Sequence, residues 1–424
     1  MIEVLLIGTG ARAEAYMRHI EKGNLPIKIK AIAEIIEERR NYFGEKHQIP
    51  KERRKNSGEE ALDEKEKYDA VIITTPDNTH YKLAIRALKK NYNVLLEKPM
   101  ATNAKDCINL IKEQQRSGKI LAICHVLRYA PFFTEIKKIT LEQELGKLLN
   151  VDLIEDIGYW HFAHSYVRGN WRKESLASPI ILAKSCHDLD ILTWIVDSEA
   201  NSVFSRGKRS YFNLKNKPKN STKRCIDCPV LDCPFNAKRF YLNQGENPGW
   251  PFSAISQEDP SEKGREKALK ETNYGKCVYQ SDNDVCDNQD VIIEFKNEVN
   301  VNFALRFGGP VSTRRITLNY EKGQIIGDLN SGTIKKTIYT GRKDEIETKE
   351  IKFENKGGHG GGDPILLKEF IKIIQENDIE RNITSAQRSL ESHLIAFAAE
   401  KSRKSEDFEK LIKMDKFKKS ITSR

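Results

Sequence analysis

The sequence predicts an α/β protein in which a doubly wound parallel sheet is followed by an α+β domain with a large, mostly antiparallel sheet. Three observations lead to this prediction. Short apolar runs alternate with amphipathic segments over the first 125 residues, and runs of alternating apolar and polar residues follow one another in the second half. A long polar segment with most of the cysteines interrupts the second pattern. With 424 residues, the chain is long enough for two or three domains.

The first part of the chain alternates between strands and helices. We predict strands at 2–7, 27–33, 70–74, 94–96 and 120–124. The helices between them are predicted from the first glycine turn to 21 and at 37–46, 79–90 and 104–117. Because short connections join strand to helix to strand, the strands must be parallel and the helices must cover the sheet.

The second part is dominated by strands. Val301, Phe303 and Leu305 alternate with less apolar residues, which is typical of a half-buried antiparallel strand. We predict strands at 147–157, 291–307, 315–320, 323–328, 333–339 and 347–353. Helices are predicted at 186–196, 364–375 and 385–404.

These patterns suggest domain boundaries. We place the doubly wound α/β domain at 1–126 and the α+β domain at 127–404. The second domain carries a cysteine-containing insertion at about 205–289, and a basic C-terminal tail follows at 405–424.

Composition excludes several classes of protein. Hydrophobic residues make up 38% and charged residues 31% of the chain, too apolar for a disordered protein and too polar for a membrane protein. The net charge is +10, but residues 401–424 alone contribute nine basic and four acidic side chains, so we predict no nucleic-acid partner. No apolar run approaches the ~18 residues of a spanning helix, and the first residues do not resemble a signal peptide. We therefore expect a cytoplasmic protein with no membrane partner.

A glycine-rich turn connects the first strand to the first helix. Gly8, Gly10 and Ala13 give it the form G-x-G-x-x-A. Gly8 permits the tight turn, Gly10 lets the backbone approach a pyrophosphate, and Ala13 lets the helix pack closely on the strand. The N–H groups at the helix N-terminus then face the phosphates. The turn therefore predicts a dinucleotide site.

An acid ends the second strand. Glu34 is where a carboxylate would accept hydrogen bonds from the adenosine ribose and repel a 2′-phosphate, so NAD is favoured over NADP. Arg39 and Arg40 lie nearby and offset part of that repulsion. The alternative is a structural loop in another kind of α/β protein.

The third and fourth strands end in polar turns. Thr75, Pro76 and His80 follow one strand, and Glu97 and Lys98 follow the next. In an open parallel sheet the ligand crevice lies at these carboxyl ends, so we expect the Lys98 ammonium to point into it.

These motifs together resemble the Gfo/Idh/MocA oxidoreductases. The resemblance covers most of the chain, including a helix with His187 and Asp190 and a glycine-rich segment with His359 and Asp363. It implies an N-terminal Rossmann domain, a C-terminal domain on a large sheet, and a homodimer or homotetramer. It also implies cofactor contacts from Gly8, Gly10, Ala11, Arg12, Glu34, Thr75, Pro76, His80, Glu97 and Lys98.

The resemblance also implies the catalytic residues. Lys98 would hold the reacting hydroxyl and relay a proton, and His187 would act as general acid/base because imidazole titrates near neutrality. Asp190 would orient the imidazole. One departure is Ala183, which stands where the family usually has an aspartate; Lys184 is adjacent and is a candidate substrate contact. The alternative for His187 is an ordinary buried helix histidine.

Two further segments offer substrate contacts. Arg168, Asn170, Trp171 and Arg172 combine an aromatic ring with groups that suit a sugar or an anionic substituent. The alternative is an amphipathic loop with its tryptophan in the core. The resemblance places His359 at the edge of the substrate pocket, while the alternative is a turn in which Asp363 caps the next helix.

Cysteines cluster in the insertion. Cys225, Cys228 and Cys233 form C-x2-C-x4-C, and Cys277 and Cys286 follow. Four thiolates, with Cys277 as the fourth, would complete a structural zinc site; an iron–sulfur cluster and free thiols are the alternatives.

Three functions remain open from the sequence. The first is an NAD-dependent dehydrogenase or reductase acting on a hydroxyl carbon of a sugar, cyclitol or sugar acid. The second is a glycosidase that oxidises its substrate transiently with bound NAD. The third is a non-catalytic NAD-binding regulator, against which Lys98 and His187 argue.

Overall fold

The computed structural model describes residues 1–246, 248–343, 345–354, 358–405 and 411–422. Its first sheet has six strands in the order β3-β2-β1-β4-β5-β6, and all their pairings are parallel. The strands are β1 (Ile2–Ile7), β2 (Ile27–Ala33), β3 (Arg54–Lys55), β4 (Ala70–Ile73), β5 (Asn93–Leu96) and β6 (Leu121–Ile123). The strand order reverses between β1 and β4, which places a ligand crevice at their carboxyl ends.

Helices follow the strands of this sheet. They are α1 (Ala11–Lys22), α2 (Glu37–Lys46), α3 (Gly58–Asp63), α4 (His80–Lys89) and α5 (Ala104–Ser117). The predicted doubly wound parallel sheet is confirmed, but β3 and α3 were not predicted. β3 consists of two charged residues without an apolar run, and α3 has six residues that begin at a Ser57 cap.

The second sheet has nine strands in the order β14-β13-β12-β11-β7-β10-β9-β8-β15. β10 and β7 pair in parallel, and the other pairings are antiparallel. The strands are β7 (Leu148–Gly158), β8 (Ala200–Lys208), β9 (Asn288–Phe295), β10 (Asn300–Gly309), β11 (Thr313–Tyr320), β12 (Gly323–Asp328), β13 (Thr333–Tyr339), β14 (Ile346–Lys352) and β15 (Ile412–Lys413). The single strand predicted at 291–307 was wrong, because the chain turns between β9 and β10.

The remaining helices accompany the second sheet. They are α6 (Pro131–Glu142), α7 (Tyr159–Phe162), α8 (Ile180–Ala183), α9 (Cys186–Val196), α10 (Ala237–Tyr241), α11 (Glu262–Glu271), α12 (Gly362–Glu376), α13 (Ala386–Arg403) and α14 (Met414–Thr422). Helices α6, α9 and α13 pack on one face of the sheet and enclose the largest apolar core. None of the helices in the described ranges combines the length and apolar character needed to cross a membrane.

Two segments pack outside the regions to which the predicted domain boundaries assign them. Helix α12 belongs to the second predicted domain, yet Leu366, Leu367 and Phe370 pack into the core of the first sheet. In the segment predicted as a basic tail, β15 pairs with β8 and Met414 is fully buried. The described part of that tail is therefore an edge of the second sheet.

Candidate active site

The glycine turn has the geometry of a phosphate cradle. Gly8 has a φ of +89°, and a Cβ there would lie 3.0 Å from the Thr74 carbonyl carbon. A Cβ on Gly10 would meet nothing within 4 Å, so the turn is open on that side. Helix α1 begins at Ala11 without a side-chain cap, and its first N–H groups are free to bind an anion. These residues fit the pyrophosphate of a dinucleotide.

Glu34 lies beside this turn at the end of β2. Its Oε2 accepts hydrogen bonds from the Thr9 N–H at 3.0 Å and the Thr9 hydroxyl at 3.2 Å. Arg40 donates to the Glu34 carbonyl at 2.7 Å. From the insertion, the Gln257 side chain donates to the Thr9 carbonyl at 2.6 Å. Sequence reasoning missed Gln257, because nothing local to it signals a contact with a turn so far away in the chain.

His80 joins the two polar turns to each other. Its Nδ1 lies 2.7 Å from the Pro99 carbonyl oxygen, and its Nε2 lies 2.8 Å from the Thr75 carbonyl oxygen. Both ring nitrogens are therefore occupied within the protein. We assign His80 the task of holding the Thr75–Pro76 loop against the Lys98 turn.

Arg12 organises a partly buried ionic cluster, here called the Arg12 cluster: Arg12, Tyr16, Glu97, His359 and Asp363. Glu97 Oε1 accepts hydrogen bonds from Arg12 Nε at 2.7 Å and from the Tyr16 hydroxyl at 2.6 Å. Arg12 Nη2 also donates to Asp363 Oδ1 at 2.7 Å, and His359 Nδ1 lies 3.0 Å from Asp363 Oδ2. The cluster ties the cofactor turn to the start of α12.

Burial alone would raise the pKa of both carboxyls in this cluster. The Arg12 guanidinium overcomes that effect, so the pKa of Glu97 and the pKa of Asp363 are both lowered. Arg12 and Glu97 were predicted as cofactor contacts; the structure pairs their charged groups with each other. The idea that Asp363 caps a helix was wrong, because Gly361 occupies the cap position.

Lys98, which follows β5, contacts the segment that leads into the His187 helix. The Lys98 ammonium donates to the carbonyl of Ala183 at 2.5 Å, and Ala183 ends α8, just before α9 begins. His187 is buried, and its ring centroid lies 5.4 Å from that of His359 and 5.9 Å from that of His125. Its Nδ1 has no hydrogen-bond partner among the described residues. Burial, and then the Lys98 charge, lower the pKa of His187 well below its ordinary value.

A second buried ionic cluster lies next to Ala183 in the chain. It is here called the Arg314 cluster: Glu155, Lys184, Ser185, Asp188 and Arg314. Glu155 Oε1 lies 3.2 Å from Lys184 Nζ and accepts from Arg314 Nη2 at 2.7 Å, while Asp188 Oδ1 accepts from Arg314 Nε at 2.6 Å. Ser185 donates to Glu155 Oε2 at 3.1 Å. The predicted substrate contact Lys184 is thus neutralised by Glu155.

Two family models match this chain along most of its length. One, described as an oxidoreductase family with an NAD-binding Rossmann fold, matches residues 2–125. The other, described as the C-terminal alpha/beta domain of that oxidoreductase family, matches residues 137–407. The chain belongs to the Gfo/Idh/MocA oxidoreductase family. The predicted family, fold and enzyme class are confirmed.

Individual relatives agree with this placement. The Bacillus subtilis (strain 168) protein YteT, named as an oxidoreductase, is 26% identical over 329 residues, which cover 74% of each chain. An inositol 2-dehydrogenase of Salmonella typhimurium is 24% identical over 199 residues, 47% of this chain and 55% of that relative. A solved structure of levoglucosan dehydrogenase with NADH and levoglucosan superposes with a TM-score of 0.70, covering 97% of this chain and 99% of that one at 16% identity. This last likeness shows the fold.

Asp190 does not orient His187, the predicted general acid/base of this oxidoreductase. Arg128 Nε and Nη2 each donate to the Asp190 carboxylate at 2.7 Å. The histidine that approaches this carboxylate is His125, whose Nδ1 lies 3.7 Å from it. The prediction for Asp190 was therefore wrong. Arg128 and His125 follow β6 directly, and the carboxyl end of that strand was the signal that could have identified them.

The segment around residue 170 does not form one substrate-binding surface in the oxidoreductase. Arg168 is buried and donates to the carbonyls of Lys276 at 2.8 Å and Phe235 at 2.7 Å. The Trp171 indole donates to Asp77 at 3.1 Å, Arg172 pairs with Asp282 at 2.9 Å, and Asn170 is exposed. Neither Arg168 nor Arg172 is kept as a substrate contact, because the Arg168 N–H groups are bound to carbonyls and Arg172 is paired with Asp282.

An aromatic group lies near the Arg314 cluster instead. The Trp160 ring stacks on Phe240 at 5.7 Å and meets Trp250 edge-on at 5.7 Å, and His161 lies 5.3 Å from Trp250. The His161 Nδ1 lies 3.0 Å from the Ser312 hydroxyl, two residues before Arg314 in the chain, and burial lowers the pKa of His161. Trp250 comes from the insertion and is 47% exposed. Sequence reasoning missed these rings because they lie about 90 residues apart.

Proposed function

We propose that this oxidoreductase transfers a hydride between NAD and a hydroxyl-bearing carbon of a sugar, cyclitol or sugar-acid-like substrate. The observation that carries the proposal is the contact between Lys98 and Ala183, the last residue of α8, which lies three residues before the His187 helix begins. Lys98 stands at the carboxyl end of a parallel strand, where the crevice lies, and its ammonium reaches the second domain at 2.5 Å. A substrate between the two domains would contact both side chains.

The oxidation divides into a hydride and a proton. NAD, when bound, supplies the hydride acceptor. The C–H bond and the O–H bond of the carbinol break, a C=O bond forms, and the proton goes to His187. The lowered pKa of His187 keeps its imidazole neutral and able to accept a proton at neutral pH. The Lys98 ammonium stabilises the negative charge that develops on the substrate oxygen.

The substrate class and the cofactor preference are supported by different residues. The exposed Trp250 and its neighbour Trp160 offer rings on which the apolar face of a sugar can stack, and the named inositol and levoglucosan dehydrogenases act on polyols of this kind. Glu34 favours NAD over NADP through its carboxylate beside the turn. The cytoplasmic location and the dimer or tetramer stay predictions.

The test is a screen of polyols, uronic acids and aryl glycosides with NAD. We expect a stoichiometric rise in the absorbance of reduced nicotinamide with at least one polyol or sugar acid. Release of aglycone without that rise would contradict the proposal and favour the glycosidase. NAD binding with no turnover of any class would favour the regulator.

Variants then test the two side chains. Lys98→Ala should abolish turnover and leave NAD affinity largely unchanged, whereas Lys105→Ala, on the exposed face of α5, should be neutral. His187→Gln should lower the rate by about 10²–10⁴-fold, the usual range for a general acid/base. Near-wild-type turnover in either variant would show that the site is wrongly assigned. Loss of NAD binding in Lys98→Ala would instead make Lys98 a cofactor ligand.

A further inference from the structure

Four cysteines of the insertion line one small cavity. Cys225, Cys228, Cys233 and Cys277 surround a space of about 10 Å³ together with apolar side chains such as Val230 and Val278. We propose that these four thiolates bind a structural Zn²⁺ ion. An all-sulfur tetrahedral set leaves no open position for chemistry, so the ion would stabilise the insertion and take no part in hydride transfer.

Backbone pairing brings the fourth cysteine to the other three. Residues Arg224 and Lys276 form an antiparallel bridge, and the Cys277 N–H donates to the Lys223 carbonyl at 2.9 Å. Cys225 and Cys277 therefore lie in neighbouring segments of the fold, although 51 residues separate them in the sequence. This contact is set by the fold and not by the C-x2-C-x4-C spacing. The contact brings Cys277 to the cavity that the other three cysteines line.

The other two cysteines stand on tight turns that face the same cavity. The Cys228 N–H donates to the Cys225 carbonyl at 3.3 Å, and the Asn236 N–H donates to the Cys233 carbonyl at 3.1 Å. Turns of this kind hold the two sulfur atoms of a C-x2-C pair on one side of the chain, as structural zinc sites require. Cys286 is buried elsewhere and does not line the cavity.

A buried guanidinium is an independent sign of negative charge at this place. Arg168 Nη2 lies 3.4 Å from Cys225 Sγ, and the other contacts of Arg168 are carbonyls that neighbour Cys233 and Cys277 in the chain. A Zn²⁺ ion with four thiolates carries a net charge of −2, which a buried arginine partly neutralises. A set of neutral thiols would leave that guanidinium without a counter-charge among these contacts.

The four thiols surround the cavity but do not point at one common centre. As the side chains stand, no three His, Cys, Asp or Glu ligands among the described residues are arranged to hold an ion. The insertion has a small apolar core of its own around Tyr241 and Leu269, while Phe235 and Tyr279, which line the cavity, pack into the largest core of the protein.

Metal analysis of the purified full-length protein tests the proposal. We expect about one zinc per chain after growth in zinc-supplemented medium. Replacement by Co²⁺ should produce thiolate-to-cobalt charge-transfer bands and the intense visible bands of a tetrahedral site. Cys228→Ala and Cys233→Ala, at the two half-exposed cysteines, should each lose the metal. Cys286→Ala is the matched control and should keep it.

Several results would overturn the proposal. These are a zinc content below about 0.1 per chain in the wild type, iron with acid-labile sulfide, a disulfide between two of the four cysteines, and equal metal loss in Cys286→Ala. The wild-type measurement decides the question even if the variants do not fold. None of these readouts depends on a substrate, so they stand apart from the test of the proposed function.

Discussion

The two buried ionic clusters beside His187 are built in different ways. The Arg12 cluster joins one guanidinium from the first domain to two carboxylates that are far apart in the chain, Glu97 and Asp363. The Arg314 cluster lies wholly in the second domain and holds two cations, Lys184 and Arg314, around Glu155. In the first cluster, loss of either carboxylate still leaves Arg12 paired with the other. In the second, Glu155 contacts both cations, whereas Asp188 contacts Arg314.

The pKa values of the buried carboxyls shift in different directions in the two clusters. In the Arg12 cluster the pKa of both carboxyls is lowered. In the Arg314 cluster, burial and the neighbouring Glu155 carboxylate raise the pKa of Asp188 to about 8. Glu155 takes the charge because Lys184 contacts Glu155 in addition to Arg314. The two clusters therefore differ in which of their carboxyls carry a charge at neutral pH.

Removal of the shared acid should have the largest effect. Glu155→Gln removes the negative charge that contacts the buried cations Lys184 and Arg314. We therefore expect the free energy of unfolding to fall by about 3–5 kcal/mol. Glu97→Gln leaves Arg12 paired with Asp363 and should lower it by about 1.5–3 kcal/mol. Urea denaturation at neutral pH measures both. Glu298→Gln, at a mostly exposed acid, is the control, and equal losses at Glu97 and Glu155 would contradict the comparison.

The clusters also predict opposite pH dependences of stability. Because the pKa of Asp363 is lowered by folding, its contribution to stability is present above its ordinary pKa and is lost as the pH falls through the lowered value. Because the pKa of Asp188 is raised to about 8, its contribution is present below its ordinary pKa and is lost as the pH rises toward 8. The variants Asp363→Asn and Asp188→Asn each remove one of these two contributions to stability.

Urea unfolding between about pH 4.5 and 8.5 measures this difference. Asp188→Asn should gain stability relative to the wild type as the pH rises, because asparagine resembles the protonated carboxyl and does not titrate. Asp363→Asn should remain less stable than the wild type by a nearly constant amount over the same range. Parallel behaviour of the two variants would show that the carboxyls do not differ as described.

A smaller effect is expected at the turn that the Arg12 cluster supports. Glu34→Ala should weaken NAD binding by about 10- to 150-fold, because a carboxylate hydrogen bond to the ribose is worth about 1.5–3 kcal/mol. It should weaken NADP binding less, because the repulsion of the 2′-phosphate is removed as well. Calorimetric titration with both cofactors measures the change. Tighter binding of NADP than of NAD by the wild type would mean that Arg39 or Arg40 dominates.

The smallest effect concerns the contact between the insertion and the turn. Gln257→Ala removes the hydrogen bond to the Thr9 carbonyl and should weaken NAD binding by about two- to tenfold, since one such bond contributes about 0.5–1.5 kcal/mol. Gln244→Ala, at an exposed residue of the same insertion, is the control. Equal affinity in the two variants would mean that the insertion does not support the cofactor turn.

Sequence alone was sufficient for features that are local in the chain. The bounds predicted for the strands at 2–7 and 27–33 and for the helices at 37–46, 104–117 and 186–196 are those of the structure. Apolar runs and caps next to one another determine these elements, and the glycine turn and Lys98 could be identified in the same way. The partners of charged groups could not be identified, since Asp190 pairs with Arg128 and Arg12 with Asp363 across long stretches of chain. Ion pairs between residues that are far apart in the chain produce no repeating pattern from which a sequence could predict them.

Helix α12 has a consequence for how this protein is made. Its apolar side chains complete the core under β1 and α1, although the ribosome adds them only after most of the second sheet has been synthesised. A fragment that ends near residue 126 would leave that core uncovered. The apolar surface that α12 covers therefore stays open to chaperones and to aggregation while the second sheet is being synthesised, until α12 has emerged.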